Sequence, residues 1–592
     1  MVATESILNY LQVSKVQNPV YQSNHLFYIS DETDLPQIWK YDEEANHSSK
    51  WLETNDRIQF FKKVPRSESF ILGMDVEGNE RQQLYYVDEH KEIERLTKQD
   101  DALYVFGGSS PDGKAIAYAS NERNAYYYDL YMMDLESKVA TRVYEGDGTY
   151  RVLGWHPSNE KLVVQEVFTN LYNNVGLLDL HTGEVDWWFE DKAISSYDTP
   201  IFSQTGEDLY LLTNHQHEFI TVAKFNLHSR QLTFLIEEDW DIENLVVDEK
   251  KEWFAYTVNE GGIDRGKVYH LATGETRSFD LGIGTISGMS WSSDSKTIAI
   301  VFNGPTRTSD LYKWSIENGQ LERLYCTSVD PNFEKSLVEP EIYTIESFDG
   351  LRVPSFLYKP KELKEDAPLA FWVHGGPEGQ TKAEYHPVIQ SLTALGYVVC
   401  APNVRGSKGY GKTYIHLDDV RKRMDSVQDL IEIANALKKE SFVDESKVAV
   451  IGRSYGGFMV LAAITHYPDV FTGAIDLVGI SSFRTFLENT GPWRRKLRES
   501  EYGTIEEDGV FFDEIDPIHH TEKITAPLLV SHGANDPRVP IGETEQMITE
   551  LRARNHPVEY IRFEDEGHGI VKIQNQVTAY TAMAEFLEKL YR

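Results

Sequence analysis

A serine flanked by glycines is the first candidate for chemistry in this 592-residue sequence. Residues 448–451 form a short apolar run, the segment G-R-S-Y-G (452–456) follows, and residues 458–464 continue with apolar side chains at helical spacing. This pattern predicts a strand, a sharp turn and a helix, with Ser454 at the apex. Small residues on either side let such a strained turn form, beside a helix N-terminus that favours negative charge. We therefore expect Ser454 to be a nucleophile if a base, an acid and an oxyanion hole accompany it.

Two further residues have the types and positions that a serine nucleophile needs. Asp536 lies in H-G-A-N-D-P-R-V-P after the predicted strand 527–532, and His568 lies in a glycine-flanked turn after the predicted strand 558–563. The order serine, acid, histidine, each in a loop after a strand, is that of α/β-hydrolases. His568 would take the proton of Ser454, and Asp536 would orient the imidazole and stabilise its charged form. The three residues are predicted to form a catalytic triad.

A glycine pair in F-W-V-H-G-G-P (371–377) follows an early predicted strand and could complete an oxyanion hole. Such a hole takes one N–H from the residue after the nucleophile, here Tyr455, and another from this loop. Because glycines let the backbone approach the developing negative charge, we expect the second donor to be the Gly376 N–H, with Gly375 as the alternative. His374 is interpreted as a residue that braces the loop.

The second half of the sequence alternates apolar strands with helical patterns. This alternation predicts an α/β-hydrolase domain with a doubly wound, mainly parallel sheet and helices on both faces. The predicted strands are 369–373, 397–401, 448–451, 474–478, 527–532 and 558–563, after a hairpin around residues 349–350. The predicted helices lie near 383–395, 421–439, 455–467, 541–555 and 574–590.

The first half of the sequence is a repeat. A polar turn followed by a β-rich strand recurs about every 45 residues, as in S-P-D-G (110–113) before K-A-I-A-Y-A and W-S-S-D (291–294) before T-I-A-I-V-F. This period predicts a seven-bladed β-propeller over residues 18–328, with an array of β-sandwiches as the alternative. We expect an N-terminal extension (1–17) with a short amphipathic helix over residues 5–13, and a catalytic domain over residues 329–592.

Composition limits the classes of partner and compartment. The formal net charge of −36 disfavours binding to nucleic acid or to anionic membranes. Two distant cysteines, Cys326 and Cys400, exclude a disulfide framework and a zinc site built on cysteine. No signal peptide and no apolar stretch of about 18 residues is evident. We therefore expect a cytoplasmic protein that needs no metal or other cofactor and could form a homo-oligomer.

The sequence resembles the prolyl oligopeptidase family (S9) of serine peptidases. The resemblance rests on H-G-G-P (374–377), P-N-V-R-G-S-K-G-Y-G (402–411), G-R-S-Y-G-G-F (452–458), N-D-P-R-V-P (535–540) and G-H-G (567–569). Within the family, H-G-G-P and D-x-R-x-P look most like the acylaminoacyl-peptidase branch. The prolyl oligopeptidase branch proper usually has a tyrosine at the position of His374, whose hydroxyl helps form the oxyanion hole, so here two backbone N–H groups are expected instead.

The resemblance also implies how substrates are selected. Arg538 matches an arginine that contacts the substrate in acylaminoacyl peptidases, with a salt bridge within the Asp536 loop as the alternative role. The active site would lie between propeller and hydrolase, which admits only peptides or loosely folded segments. Phe483, Phe486 and Trp493 are candidate walls of the substrate pocket, with packing in the core as their alternative role.

These expectations favour a serine peptidase of the acylaminoacyl-peptidase or oligopeptidase type that acts on short peptides through an acyl-enzyme. A carboxylesterase of the same fold is one alternative, because the same triad hydrolyses esters. A dipeptidyl-peptidase-like exopeptidase is another, and it would need a pair of carboxylates to hold a free N-terminus. Glu237-Glu238 is the candidate pair in the later blades, but we interpret it as a solvated turn.

Overall fold

The structure, a computed structural model, describes residues 2–22, 25–189, 195–327 and 330–591. It consists of an N-terminal helix, a β-propeller and a C-terminal α/β domain. The expected boundary between the two domains, at residues 328 and 329, lies outside the described residues.

The propeller is built from antiparallel sheets that follow one another along the chain. Five sheets have four strands each among the described residues, and a further sheet has eight. The four-stranded sheets are β1 (Val16–Gln22), β2 (His25–Ser30), β3 (Gln37–Asp42), β4 (His47–Leu52); β5 (Ile58–Lys63), β6 (Phe70–Met74), β7 (Gln83–Val87), β8 (Ile93–Arg95); β17 (Tyr197–Phe202), β18 (Asp208–Thr213), β19 (Thr221–Asn226), β20 (Leu232–Ile236); β21 (Asp241–Val247), β22 (Trp253–Asn259), β23 (Asp264–His270), β24 (Thr276–Phe279); and β25 (Thr285–Trp291), β26 (Thr297–Gly304), β27 (Arg307–Ser315), β28 (Leu321–Tyr325).

The eight-stranded sheet contains two successive groups of four strands. Its strands are β9 (Tyr104–Ser109), β10 (Ala115–Asn124), β11 (Tyr127–Asp134), β12 (Ala140–Tyr144), β13 (Thr149–Trp155), β14 (Lys161–Val167), β15 (Asn173–Asp179) and β16 (Val185–Trp187). A single parallel pair, Tyr128 with Thr149, connects the first group to the second.

The repeated polar turns are tight because side chains replace backbone partners. In the turn before β10, the Ser110 hydroxyl donates to Asp112 at 2.6 Å and accepts from the Lys114 N–H at 3.1 Å. Gly113 adopts a positive φ of 77°, a conformation that glycine reaches without a steric penalty. The strand that follows is buried, with Ile116, Ala117 and Ala119 at 0% exposure. This turn is therefore followed directly by an apolar strand in the core.

The first and last sheets meet through side chains. The Tyr21 N–H donates to the Ser290 hydroxyl at 3.0 Å, and the Ser309 hydroxyl donates to the Val16 carbonyl at 2.7 Å. Among the described residues, no backbone ladder joins β1 to β25, so side-chain contacts hold this junction.

The C-terminal domain contains one eight-stranded sheet. Its order is β29-β30-β32-β31-β33-β34-β35-β36, with parallel pairing from β32 to β36. The strands are β29 (Glu341–Glu346), β30 (Arg352–Tyr358), β31 (Ala367–Val373), β32 (Val398–Pro402), β33 (Val443–Arg453), β34 (Gly473–Leu477), β35 (Leu528–Gly533) and β36 (Val558–Phe563). The strands and the hairpin predicted in this half are present, with ends shifted by a few residues.

Helices cover both faces of this sheet, as predicted. They are α2 (Pro331–Ser336), α3 (Pro387–Ala394), α4 (Lys412–Ile415), α5 (Arg423–Leu437), α6 (Tyr455–His466), α7 (Phe483–Asn489), α8 (Pro492–Tyr502), α9 (Ile505–Ile515), α10 (Gly542–Ala553) and α11 (Ile573–Tyr591), with 3₁₀ turns at Val420–Lys422 and Pro517–Lys523. The sequence did not predict α7, α8 and α9, whose short helices lack a long apolar period.

The N-terminal helix α1 (Val2–Leu11) packs on the C-terminal domain. Ile7 and Leu11 are buried against Ala584 of α11, and the Tyr385 hydroxyl donates to the Tyr10 carbonyl at 2.6 Å. The predicted helix is therefore present a few residues earlier than expected, and it connects the start of the propeller to the far side of the α/β domain. Across the described residues, no helix has the length and apolarity needed to span a membrane.

Candidate active site

Ser454 occupies a strained turn between β33 and α6. Its φ of 60° and ψ of −120° lie on the positive-φ side, which is unfavourable for a residue with a Cβ. Both flanking positions must be glycine because a side chain would collide with the backbone. A Cβ on Gly452 would lie 2.2 Å from the Gly456 carbonyl oxygen, and one on Gly456 would lie 2.2 Å from the Val373 carbonyl oxygen. The turn therefore packs backbone to backbone against the end of β31.

Asp536 and His568 are brought together by the loops after β35 and β36. The His568 Nδ1–H donates to Asp536 Oδ2 at 2.6 Å, while Asp536 Oδ1 accepts from the N–H groups of Arg538 (2.8 Å) and Val539 (3.1 Å). Three donors thus hold the carboxylate in one orientation. With Nδ1 occupied, the Nε2 atom of His568 is the one left to act on a nucleophile.

Their protonation states suit a base and its orienting acid. Burial alone would raise the pKa of Asp536, but His568 and His532 outweigh it and hold that pKa well below its ordinary value. Burial lowers the pKa of His568, and the Asp536 carboxylate offsets only part of this effect. Asp536 is therefore ionised and His568 neutral at neutral pH.

Ser454 and His568 are linked through Arg453. The Arg453 guanidinium donates to the His568 carbonyl oxygen at 2.7 Å, which ties the histidine loop to the serine turn. Within the described chain, the Ser454 hydroxyl forms no hydrogen bond with His568. Such bonds are often long in unliganded hydrolases and shorten when substrate binds.

The loop after β31 lies against the serine. A Cβ on Gly375 would be 3.2 Å from Ser454 Cβ and 3.8 Å from its Oγ, whereas one on Gly376 would meet the Gly379 N–H at 2.3 Å. Gly375, the alternative donor in the sequence, is thus the glycine with a close approach to Ser454. His374 bonds to the Gly375 carbonyl (2.8 Å) and to Ser407 Oγ (2.9 Å), as a loop brace would.

A buried charge network lies beneath Tyr455. Arg423, 1% exposed, forms ion pairs with Asp418 and Glu501. The Tyr455 hydroxyl bonds to Ser426 Oγ at 2.7 Å and accepts from Arg423 at 3.2 Å. Burial raises the pKa of both carboxyl groups, and Arg423 opposes this rise.

The same network extends to the glycine loop. Arg498 forms an ion pair with Glu378 at 3.4 Å and donates to the Gly376 carbonyl at 3.4 Å. Arg498 lies 6.0 Å from the ring of Tyr502, against which Arg423 also packs at 5.1 Å. Both backbone segments expected to form the oxyanion hole thus rest on one set of buried ion pairs.

The propeller directly contacts both the loop that contains Asp536 and the loop that contains His568. Glu80 accepts two hydrogen bonds from Arg538 Nε, at 2.7 and 2.8 Å, and a Cβ on Gly78 would lie 2.9 Å from the Gly567 N–H. The Asp75 carboxylate holds this propeller loop, because it accepts from the Glu80 N–H at 3.0 Å. Arg538 therefore has a salt bridge, but its partner is on the propeller rather than in its own loop.

The three aromatic candidates for the pocket wall occupy different environments. Phe483 and Phe486 are 1% and 2% exposed and pack with Tyr502 in the core of the α/β domain, as their alternative role describes. Trp493 packs against a buried apolar cluster of the propeller that includes Tyr128 and Tyr150. Of the three, only Trp493 reaches the boundary between the two halves.

Comparison with known proteins shows which family the region around this site resembles. Residues 383–592, which include Ser454, Asp536 and His568, match the prolyl oligopeptidase family. This region of the chain is thus similar to that family. The matched region spans the sheet from β32 onward, and the glycine loop after β31 precedes it.

Individual members of the family align over different lengths. The dipeptidyl aminopeptidase BIII of Pseudoxanthomonas mexicana is 27% identical over 542 residues, which cover 86% of this chain and 77% of that protein. The acylamino-acid-releasing enzyme of Arabidopsis thaliana is 27% identical over 244 residues, 41% of this chain and 32% of that protein. A puromycin-hydrolyzing peptidase of Mycobacterium tuberculosis has the same fold, with a TM-score of 0.88 over 99% of this chain and 95% of its own at 19% identity.

Sequence reasoning missed several residues that surround this site. His532 is fully buried beside Asp536, with Nδ1 at 2.8 Å from Thr544 Oγ1 and Nε2 donating to the Val539 carbonyl at 2.9 Å. Arg494 has no side-chain hydrogen bond or ion pair with any residue that the structure describes. Burial, with Arg538 and Arg498 nearby, lowers its pKa to about 10. For His532, the one available signal in the sequence is the histidine in S-H-G (531–533) at the end of a predicted strand.

Substitution of Arg423 tests the buried network. Arg423→Met should cost about 3–5 kcal/mol of stability, because it leaves Asp418 and Glu501 buried without their cation. The measurement is the urea concentration at the midpoint of unfolding, with Arg552→Met on the exposed face of α10 as the matched control. Adding Asp418→Asn and Glu501→Gln should recover part of the loss. A midpoint for Arg423→Met equal to that of the control would contradict this role.

Proposed function

We propose that this protein is a serine peptidase that cleaves short peptides through a triad of Ser454, His568 and Asp536. The observation that carries the proposal is the 2.6 Å bond between Asp536 and His568, made next to a serine held at a positive φ. Similarity to the prolyl oligopeptidase family and to relatives that are named as peptidases supports the same reaction class.

The proposed reaction proceeds through an acyl-enzyme. His568 Nε2 removes the Ser454 proton as Oγ attacks the scissile carbonyl, and the resulting imidazolium is stabilised by the Asp536 carboxylate. His568 then delivers this proton to the leaving amine, and an amine product departs. Water, activated by the same imidazole, hydrolyses the ester at Ser454 and regenerates the serine.

The negative charge that develops on the carbonyl oxygen needs donors already in place. We assign one to the N–H of Tyr455, the first residue of α6, where the helix N-terminus adds favourable electrostatics. The second would come from the Gly376 N–H, as expected from the sequence, or from Gly375, which the contact with Ser454 favours. The ion pairs of Arg423 and Arg498 would keep both backbone segments rigid.

The propeller is proposed to restrict access. We divide the chain into an extension (1–17), a propeller (18–328) and a catalytic domain (329–592), and we count the eight-stranded sheet as two blades, which makes seven. Contacts of Glu80 with Arg538 and of Trp493 with the propeller leave the candidate site between the two halves. Arg538 and Trp493 are then the candidates with the best access to substrate. Phe483 and Phe486 would support the wall of the substrate pocket from the core of the α/β domain.

The mode of cleavage has two family precedents. Acylaminoacyl-peptidase and dipeptidyl aminopeptidase relatives both align with this chain. The carboxylate pair considered for N-terminus binding is already engaged, since Glu238 binds Lys267 and Tyr256 and Glu237 binds His217. This favours the acylaminoacyl-peptidase or oligopeptidase mode. Cys326 and Cys400 form no disulfide with each other, which supports a cytoplasmic location.

A substrate panel distinguishes these modes. It comprises N-acetylated amino-acid anilides, free-amino dipeptide anilides, internally quenched peptides and short-chain esters, compared by kcat/KM. The proposal requires hydrolysis of amide bonds in peptides. Activity confined to esters would assign the protein as a carboxylesterase instead.

Ser454→Ala should lower kcat by several orders of magnitude, because no other group can form the acyl-enzyme. Hydrolysis of the best panel peptide is the measurement. Ser446→Ala, an exposed serine on the same strand, is the matched control and should retain the wild-type rate. Near wild-type turnover by Ser454→Ala would remove Ser454 as the nucleophile.

The acid limb of kcat/KM should report His568. Because burial lowers its pKa, the neutral base persists to lower pH, and activity should fall with a midpoint below about 6.5, the ordinary value for histidine.

Asp536→Asn should cost about 10⁴ in kcat by the serine-protease precedent. A midpoint above pH 7, or a loss of less than tenfold in Asp536→Asn, would count against the assigned pair.

A further inference from the structure

One cavity between the two halves of the molecule adjoins the candidate active site. Its volume is about 880 Å³, within the range of cavities that bind small organic ligands. The wall includes Arg453, which precedes Ser454, and Ile570, two residues after His568. Because Arg453 also binds the His568 carbonyl, this cavity opens on the histidine side of the nucleophile.

The wall of this cavity carries an excess of positive charge. Its lysines, arginines and carboxylates are Lys15, Lys62, Lys63, Arg453 and Glu384. In the described part of the chain, none of the four cations forms an ion pair with a carboxylate. The Glu384 carboxylate is opposed by Lys15 and by Lys382, so the remaining three cations have no nearby countercharge in the wall.

Lys62 and Lys63 are the two cations that propeller strand β5 contributes to the wall of this cavity. They end strand β5 of the propeller, and neither side chain donates a hydrogen bond to a described residue. Lys62 is an exposed residue of this wall, and desolvation by the protein around it lowers the pKa of its ammonium group. Such ammonium groups are better stabilised when an anion enters.

The rest of the molecule makes this charge unusual. The whole chain has a formal net charge of −36. Another interdomain cavity, of about 430 Å³, has the opposite balance, with carboxylates outnumbering cations in its wall: Glu218, Asp241, Glu243 and Glu378 against Lys408 and Lys412. A local excess of cations beside the active site would therefore concentrate anionic ligands there.

We propose that this cavity binds a carboxylate on the leaving-group side of the substrate, with Lys62 and Lys63 as the selecting residues. The inference rests on the proposed peptidase function. His568 hands its proton to the leaving amine, so the portion of the peptide that follows the scissile bond departs on the histidine side, where this cavity opens. Charge-assisted hydrogen bonds from ammonium groups are among the stronger ones available to a carboxylate.

Two sources could supply the carboxylate. One is the free C-terminus of a short peptide, which would make the protein prefer substrates that end one to three residues beyond the scissile bond. The other is an Asp or Glu side chain in the leaving portion. Both present the same group to Lys62 and Lys63, and the test separates them.

The test compares matched peptides that share the acyl portion preferred in the panel. One pair ends in -Ala-Ala with a free carboxylate or a carboxamide, and a second pair is amidated and carries Glu or Gln after the scissile bond. We expect about a tenfold higher kcat/KM for at least one anionic member, expressed mainly in KM. The ratio should shrink in 0.5 M NaCl as screening increases.

Variants then assign the effect to the lysines. The double substitution Lys62→Gln and Lys63→Gln should bring the anionic-to-neutral ratio close to one, whereas Lys114→Gln, an exposed lysine elsewhere on the propeller, should preserve it. A ratio near one in the wild type, or an unchanged ratio in the double variant, would overturn the proposal.

Binding separates this proposal from the peptidase function itself. Ser454→Ala should bind the anionic member of at least one of the two pairs about tenfold more tightly than its neutral member, measured by titration calorimetry. A protein that cleaves the two members of each pair equally well and binds them equally would refute the carboxylate site and leave the peptidase function standing. A protein that cleaves neither peptide while still preferring the acid in binding would refute the peptidase function instead.

Discussion

The close backbone packing around Ser454 is the constraint on which the rest of the site depends. Gly452, Gly456 and Gly375 leave no room for side chains, so the end of β33, the start of α6 and the loop after β31 touch one another directly. This contact holds Ser454 at a positive φ, a conformation that costs of order 1–3 kcal/mol and persists only where the surroundings over-determine it. The parallel strands and the core beneath them supply that rigidity, and the serine hydroxyl and the glycine loop are thereby brought to the same place.

Electrostatics then stabilise what packing has positioned. Arg423, buried between Asp418 and Glu501, supports Tyr455 from below, and Arg498 supports the Gly376 loop through Glu378. On the other side, the propeller reaches the His568 loop through Gly78 and the Asp536 loop through Glu80. The propeller is thus more than a cover over the site, because movement between the two halves would break the contacts that steady the Asp536 loop as well as admit substrate. Gating and alignment of the catalytic residues would be coupled in this arrangement.

Local patterns in the sequence predicted a propeller followed by an α/β domain, and they indicated the candidate site residues. Period-two strands, helical spacing and the order of Ser454, Asp536 and His568 are encoded over short stretches, and each can be interpreted without knowledge of distant partners. The contact of Arg538 with Glu80 joins residues 458 positions apart, and the partners of Arg423 lie on three separate elements, so no local pattern could predict them. Phe483 and Phe486 were ambiguous for the same reason, since a core aromatic and a pocket wall look alike until α7 and α8 are placed.

The central claim is that one serine, activated by one histidine, performs the chemistry. Reaction with a fluorophosphonate probe, followed by mass spectrometry of the digested protein, tests it without knowledge of the natural substrate. The account predicts a single adduct on the peptide that contains Ser454, formed in the folded protein, absent after denaturation and slowed by orders of magnitude in His568→Ala. Labelling at another serine, or a rate unaffected by loss of His568, would contradict it.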